Sequence, residues 1–114
     1  EKKTPTTSAY AKAMQDMAQN IAASGRYTHV YMHSQWSTIL KNRDIHVSPN
    51  RLPDIAGVRQ DGKIDIIEIA SSERDLRRGN LLERNREIWN QLPEDRRGHI
   101  IVIDHLGNWK HVFP

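Results

Sequence analysis

Apolar positions in the first part of the chain follow two different periods. Residues 8–24 are rich in alanine, and their larger apolar side chains recur at spacings of four, three and four: Tyr10, Met14, Met17 and Ile21. This period predicts an amphipathic helix, which Ser24-Gly25 would end. The next segment, Tyr27–Met32, is β-branched and aromatic, so it predicts a strand.

Two further apolar runs are separated by a turn signal. Residues 54–60 and 63–71 each predict a strand, and Asp61-Gly62 between them favours a tight hairpin. The preceding segment, 34–52, is polar and predicts a loop with a short turn at 36–40.

The last part returns to a helical period and then to strands. Residues 73–92 predict a second helix that Pro93 ends. Its apolar stripe consists of Leu81, Leu82, Ile88, Trp89 and Leu92. His99–Asp104 is typical of a buried central strand, and Trp109–Phe113 predicts a final strand. The predicted order, α-β-β-β-α-β, indicates an α+β domain of three layers, with a mixed sheet flanked by helices.

Length and composition restrict the class of protein. The chain has 114 residues, a net charge of +3 and no cysteine, so it suffices for one domain and offers neither a disulfide framework nor a thiolate metal site. We expect residues 1–7 to be a flexible lead-in to a single domain at 8–114. No apolar run approaches the roughly 20 residues of a membrane span. The mild positive charge is compatible with nucleic-acid binding.

Two acidic side chains lie in otherwise apolar strands. Asp54 opens the first strand of the predicted hairpin and Glu68 lies deep in the second, so their carboxylates should meet at one end of a small sheet. Burying such groups is costly unless they are paired or bind a cation. Carboxylate oxygens suit Mg²⁺ or Mn²⁺, and a divalent cation beside a basic surface is what phosphodiester hydrolysis requires. Asp65, on the alternate face, is expected to pair with a lysine or arginine.

These residues resemble a known motif. Pro53-Asp54, a spacer of thirteen residues and Glu68-x-Ala70 are similar to the Pro-Asp and Asp/Glu-x-Lys elements of the PD-(D/E)xK nuclease superfamily. The surroundings resemble the C-terminal toxin domains of bacterial polymorphic toxins, of the contact-dependent growth inhibition and Rhs types. The matching segments are Tyr27–Met32, Arg51–Asp54, Val58–Lys63, Ile66–Ser71 and Glu83–Glu87.

The resemblance implies a restriction-endonuclease-like fold and a nuclease that holds Mg²⁺ through Asp54, Glu68 and the carbonyl oxygen of Ile69. It further implies a DNA or RNA substrate, tRNA included, and a tightly bound immunity protein. The domain would belong to a larger secreted or cell-surface bacterial effector and act in the target-cell cytoplasm. An acidic residue on the first helix sometimes completes such sites, and Asp16 is the only one there.

The third motif position departs from the pattern. Residues 64, 66, 68 and 70 share one face of a strand, so Ala70 would lie beside Glu68, where the resemblance implies a lysine. Lys63 and Ser71 are the preferred catalytic replacements. Further candidates are Arg51, His33 and Ser72. If none of these side chains replaces the lysine, the domain would retain the fold but lack nuclease activity.

Basic residues are concentrated in residues 73–97, which carry seven basic and six acidic side chains. The side chains expected to contact nucleic acid are Arg51, Arg77, Arg78, Arg84 and, by stacking on a base, Trp36. Arg77 and Arg84 are seven residues apart and would share a face of one helix. Arg96-Arg97 would extend this basic stripe. A solvated helix face with i, i+4 ion pairs explains the same charges equally well.

Two other functions are compatible with the same residues. A domain with Ala70 could bind nucleic acid or protein without turnover, with Asp54 and Glu68 as structural groups. A metal-independent ribonuclease could use His33 or His29 as acid and base. The i, i+4 spacing of these histidines would make a zinc pair only on a helix, whereas the pattern predicts a strand.

Overall fold

A computed structural model describes residues 9–41 and 45–114, with side chains from Ala11 onward. The elements are α1 (Ala9–Ala23), β1 (Tyr27–Met32), α2 (Trp36–Leu40), β2 (Ile55–Arg59), β3 (Ile64–Ile69), α3 (Glu73–Arg78), α4 (Leu81–Trp89), β4 (Arg97–Ile103) and β5 (Trp109–Phe113). A short 3-10 helix, Glu94–Arg96, precedes β4. The prediction of an α+β domain with a mixed sheet flanked by helices is confirmed. The predicted lead-in, residues 1–7, lies outside the described residues.

One five-stranded sheet has the order β1-β2-β3-β4-β5. Strands β1, β2 and β3 pair antiparallel, β3 and β4 pair parallel, and β5 returns antiparallel to β4. The hairpin predicted at Asp61-Gly62 is confirmed: the Arg59 N–H donates to the Lys63 carbonyl oxygen (2.8 Å), and Gly62 has a φ of 91°, which favours glycine. All six residues of β3 are buried, as its central place requires.

Helices cover both faces of the sheet. On one face α1 packs Met14 against Ile55, Ile67, Ile69, Ile101 and Ile103. On the other face α2 and α4 cover the larger core, which contains Trp36, Ile39, Leu40, Ala56, Ile64, Ile66, Ile88, Leu92 and Ile100. Because side chains alternate along a strand, Glu68 points to the α4 side and away from α1. Within residues 9–41 and 45–114, no helix has the length and apolar character needed to cross a membrane.

The helix predicted at 73–92 is in fact two helices, so that prediction is corrected. α3 ends at Arg78, and Asn80 adopts a left-handed conformation (φ 53°) before α4 begins. Glycine and asparagine are weak helix formers, and asparagine tolerates this conformation better than most residues. Because the break interrupts the helical repeat, a spacing of seven no longer places Arg77 and Arg84 on one helix face.

Asp65 is almost entirely buried, with 1% of its surface exposed. Its carboxylate accepts hydrogen bonds from the Tyr27 hydroxyl (2.5 Å), the Arg59 guanidinium (2.6 and 3.1 Å) and the His99 N–H (2.8 Å). The expected pairing with a basic side chain is confirmed, and the partner is Arg59. Burial and the bond to Asp65 raise the pKa of Tyr27 to about 12. Gly98 is required beside this cluster, because a Cβ there would collide with the Asp65 carboxylate.

Candidate active site

Asp54 and Glu68 meet at one end of the β2–β3 hairpin, as its geometry predicts. The Glu68 Oε2 atom accepts a hydrogen bond from the Asp54 N–H (3.0 Å), and the Asp54 Oδ2 atom accepts one from the Ile69 N–H (2.8 Å). Both acids are buried, with 8% and 6% of their surfaces exposed. Each carboxyl group is therefore fixed by the backbone next to the other, and two acidic groups are held together. We call Asp54 and Glu68 the acid pair.

The surroundings of Glu68 disfavour its charged form. Burial and then the Asp54 carboxylate raise the pKa of Glu68 to about 8, from an ordinary value of 4.5. The hydrogen bond from the Asp54 N–H and the charge of Arg84 act in the opposite direction, whereas Asp75 adds negative charge. A bound cation would counteract this shift, since opposite charge favours the ionised carboxyl.

We expect Glu68→Gln to stabilise the metal-free domain at alkaline pH. A carboxyl group whose pKa is higher in the folded than in the unfolded state destabilises the fold as the pH rises from the pKa of the unfolded state to that of the folded state. The parent should therefore lose stability between about pH 4.5 and 8, by at most about 5 kcal/mol at about 1.4 kcal/mol per pKa unit. The variant should lack this loss. Urea unfolding of both proteins at about pH 4.5 and pH 8 measures the change in the free energy of unfolding. The same pH dependence in parent and variant would contradict the burial of a titrating Glu68.

Polar side chains surround the acid pair. The His33 Nε2 atom lies 3.8 Å from Asp54 Oδ1, and the His33 N–H donates to the Asp54 carbonyl oxygen (3.1 Å). After β3, the N–H and hydroxyl of Ser71 donate to the Asp75 carboxylate (2.9 and 3.2 Å). The structure therefore brings His33 to the acid pair and places Ser71 at its rim through Asp75.

Asp75 is a site residue that was not predicted from the sequence. A signal was present, because Ser72-x-x-Asp75 is a helix-capping pattern. The Ser72 Oγ atom accepts the Asp75 N–H (3.1 Å) at the start of α3. This cap directs the Asp75 carboxylate back towards the end of β3.

The chemistry of the acid pair fits a hard divalent cation. Its two carboxylates offer oxygen ligands, and the carbonyl group of Ile69 directly follows Glu68 along β3. The described residues contain no group of three or more histidine, aspartate or glutamate side chains arranged to hold a metal. The candidate ligand set is thus two carboxylates and one carbonyl oxygen, which suits Mg²⁺ because this ion usually retains several waters.

Ala70 belongs to an apolar cluster on the Glu68 side of the sheet. Its side chain is fully buried and packs with Leu81 and Val102. Packing therefore fills the place at which the motif implies a lysine. A cation at this site has to come from another element.

Two predicted site residues lie away from the acid pair. Lys63 is at the hairpin turn, five residues before Glu68, which corresponds to roughly 16 Å of extended strand. Asp16 is exposed on α1, where it pairs with Lys12 (3.4 Å), and α1 covers the opposite face of the sheet. Neither side chain can act at the acid pair, so both assignments are corrected.

The residues predicted to contact nucleic acid occupy three kinds of position. Trp36 is fully buried in the core, so it cannot stack on a base and that prediction is wrong. Arg51 pairs with Glu87 on α4 (3.0 Å). Exposed positions are occupied by Arg77, Arg78 and Arg84.

Arg96 and Arg97 do not extend a basic stripe. The Arg96 Nε–H donates to the Gly62 carbonyl oxygen (2.6 Å), and the Arg97 guanidinium donates to carbonyl oxygens at the end of α4 (2.9–3.1 Å). Both guanidinium groups satisfy backbone acceptors at turns, which is a structural role.

His29 and His33 do not form a pair. His29 is exposed in β1, where its ring contacts the Thr28 hydroxyl (3.1 Å) and stacks on Tyr31. Four residues of extended chain separate the two histidines by roughly 13 Å. The arrangement supports neither a zinc pair nor an acid–base pair made of these two rings.

Comparisons with known proteins do not place the chain in a family. The sequence matches no protein-family model, and neither a curated protein nor a solved structure matches it significantly. The class of protein is therefore inferred from the α+β fold and from the buried acid pair at one end of its mixed sheet.

Proposed function

We propose that this domain is a metal-dependent nuclease that hydrolyses phosphodiester bonds of nucleic acid. The observation that supports this proposal best is the acid pair, in which the backbones of neighbouring strands hold two buried carboxylates together. Like charges in an apolar sheet lower stability, and a bound cation would offset that cost. The resemblance to the PD-(D/E)xK superfamily supports the same function.

The residues of the site would have separate roles. Asp54, Glu68 and the Ile69 carbonyl oxygen would hold Mg²⁺ or Mn²⁺. Such an ion, when bound, activates water and neutralises charge on the phosphoryl group. His33, at 3.8 Å from Asp54, would orient that carboxylate. Ser71 would position Asp75 through its two hydrogen bonds rather than contact the substrate.

Exposed arginines near the acid pair would bind the phosphate backbone. Arg77 and Arg78 belong to α3, which follows β3 directly and also carries Asp75. A shallow surface cavity at this helix is lined by Ser72, Arg74, Asp75, Arg78 and Gly79. Because phosphate contacts carry no direct base information, these residues fit DNA and RNA, tRNA included.

The resemblance to polymorphic toxins extends the proposal to a biological role. The domain would be the toxic part of a larger secreted or cell-surface bacterial effector and would act in the target-cell cytoplasm. The producing cell would require an immunity protein. Because this chain has a net charge of +3, we expect the immunity protein to be acidic, since complementary charge steers association.

Removal of divalent cations should abolish cleavage. We expect the purified domain to cut plasmid DNA or total RNA in the presence of Mg²⁺, EDTA to stop the reaction, and excess Mg²⁺ or Mn²⁺ to restore it, since the acid pair needs a cation to activate water. Gel electrophoresis measures the products. Cleavage that persists in EDTA would favour the histidine-based ribonuclease, and binding without turnover would favour the inactive module.

A further inference from the structure

The acid pair has no lysine on its own strand, because Ala70 packs in an apolar cluster beside it. Three of the other candidates for this role are engaged elsewhere. Lys63 lies at the far end of β3, Arg51 pairs with Glu87, and Ser71 donates to Asp75. His33 contacts Asp54 (3.8 Å), but a side chain with a permanent positive charge has to come from the helices that cover the Glu68 face.

Helix α4 crosses this face antiparallel to β3. Its first residue, Leu81, packs in one cluster with Ala70 at the C-terminal end of β3, whereas Ile88 packs in the cluster of Ile64 at the other end. The first turn of α4 therefore lies over the end of β3 that carries the acid pair.

Arg84 follows Leu81 by three residues and lies on the exposed flank of this face. Glu87, three residues further on the same flank, pairs with Arg51 of the segment that leads into β2 (3.0 Å), so this flank lies on the β2 side, next to Asp54.

The Arg84 guanidinium is anchored at the break between α3 and α4. Its Nη1 atom donates to the Gly79 carbonyl oxygen (3.2 Å). In the described part of the chain, none of the ion pairs includes Arg84. Arg84 lies in the first turn of α4, on the side of the helix that faces Asp54 and the acid pair. A planar guanidinium has five N–H donors, so those beyond the Gly79 contact can serve phosphate oxygens.

We infer that Arg84 is the catalytic cation of this site and takes the place of the lysine absent from β3. The inference rests on the proposed nuclease function. In the hydrolysis, a water oxygen forms a bond to phosphorus and the bond from phosphorus to the leaving sugar oxygen breaks. One water proton ends on the leaving oxygen and the other on the product phosphate. Arg84 donates to the non-bridging oxygens, where negative charge develops. Because arginine stays protonated, it acts through charge and position and not as a general base.

The test compares Arg84→Gln and Arg84→Lys with the matched control Arg86→Gln. Arg86→Gln removes the same charge from the same helix at a place where the guanidinium lies over Phe113 (4.7 Å). Steady-state cleavage in saturating Mg²⁺ gives kcat and KM. We expect Arg84→Gln to lower kcat by about 100-fold or more with little change in KM, as for the loss of a preorganised donor. Arg84→Lys should recover part of the loss, and Arg86→Gln should behave as the parent.

A second measurement does not depend on turnover. In EDTA, the Kd of a labelled oligonucleotide should stay near that of the parent in both Arg84→Gln and Arg86→Gln, because a donor that acts on charge developing in the transition state contributes little to ground-state binding. A Kd raised tenfold or more in Arg84→Gln alone would overturn the inference, since Arg84 would then be an ordinary phosphate contact.

The kinetic outcomes separate this inference from the proposed function. An active parent whose Arg84→Gln variant shows only a raised KM would make Arg84 an ordinary phosphate contact. Equal kcat losses in Arg84→Gln and Arg86→Gln would indicate a general effect of charge. Either result overturns the role of Arg84 and leaves the nuclease proposal in place. A parent that cleaves neither DNA nor RNA would overturn the nuclease proposal, and the catalytic role of Arg84 with it.

Discussion

Replacing Glu68 by glutamine should reduce phosphodiester cleavage by about 100-fold or more. The amide keeps the shape of the side chain and can still accept the hydrogen bond from the Asp54 N–H, but it has no charge with which to hold a divalent cation. The cation contributes several kcal/mol of charge stabilisation, and about 1.4 kcal/mol corresponds to a tenfold change in rate. Asp54→Asn should cause a loss of the same order. Initial rates over a range of Mg²⁺ concentrations measure both losses.

Glu94→Gln is the matched control for this experiment. Glu94 is an exposed carboxylate in the 3-10 helix before β4, at the end of the sheet opposite to the acid pair. Solvent and salt screen such a remote charge, so its removal should leave the rate unchanged. Growth inhibition in cells that express each variant should follow the same order as the rates. If Glu68→Gln cleaves as fast as the parent, the active site is elsewhere and the histidine-based ribonuclease becomes the better hypothesis.

The largest loss of stability is expected for Asp65→Ala. The substitution removes the acceptor shared by the Tyr27 hydroxyl, the Arg59 guanidinium and the His99 N–H. Removing one partner of a buried ion pair costs about 3–5 kcal/mol, because the other partner is left covered and uncompensated. For a domain of 114 residues, this corresponds to a decrease in Tm of roughly 10–25 °C. Scanning calorimetry and urea unfolding measure the two quantities.

Asp16→Ala provides the comparison at the surface. It breaks an ion pair with Lys12 in which both side chains are mostly exposed, and such pairs contribute about 0–1 kcal/mol. The difference between the two alanine variants therefore reports the effect of burial. A loss for Asp65→Ala no greater than that for Asp16→Ala would contradict the buried cluster around Asp65.

Local signals in the sequence were sufficient to predict the hairpin and the acid pair. Asp61-Gly62 between two apolar runs specifies a tight turn, and both turn chemistry and strand period act over a few residues. Once the hairpin forms, its short connection brings Asp54 next to Glu68. The apolar character of β3 on both faces likewise predicted a central strand, because a strand covered on two sides buries every side chain.

Only the tertiary structure decided which other side chains join the acid pair. The sequence by itself determined the hairpin, the order of the elements and the place of Glu68 on its strand. It did not determine that Trp36 enters the core, since burial of one aromatic ring depends on which surfaces pack around it. Lys63 is close to Glu68 in sequence but lies at the other end of the strand, whereas Arg84 is distant in sequence but lies in the turn of α4 above it. The physical reason is that the position of Arg84 depends on the direction in which α4 crosses the sheet, and the period of a single segment contains no information about that direction.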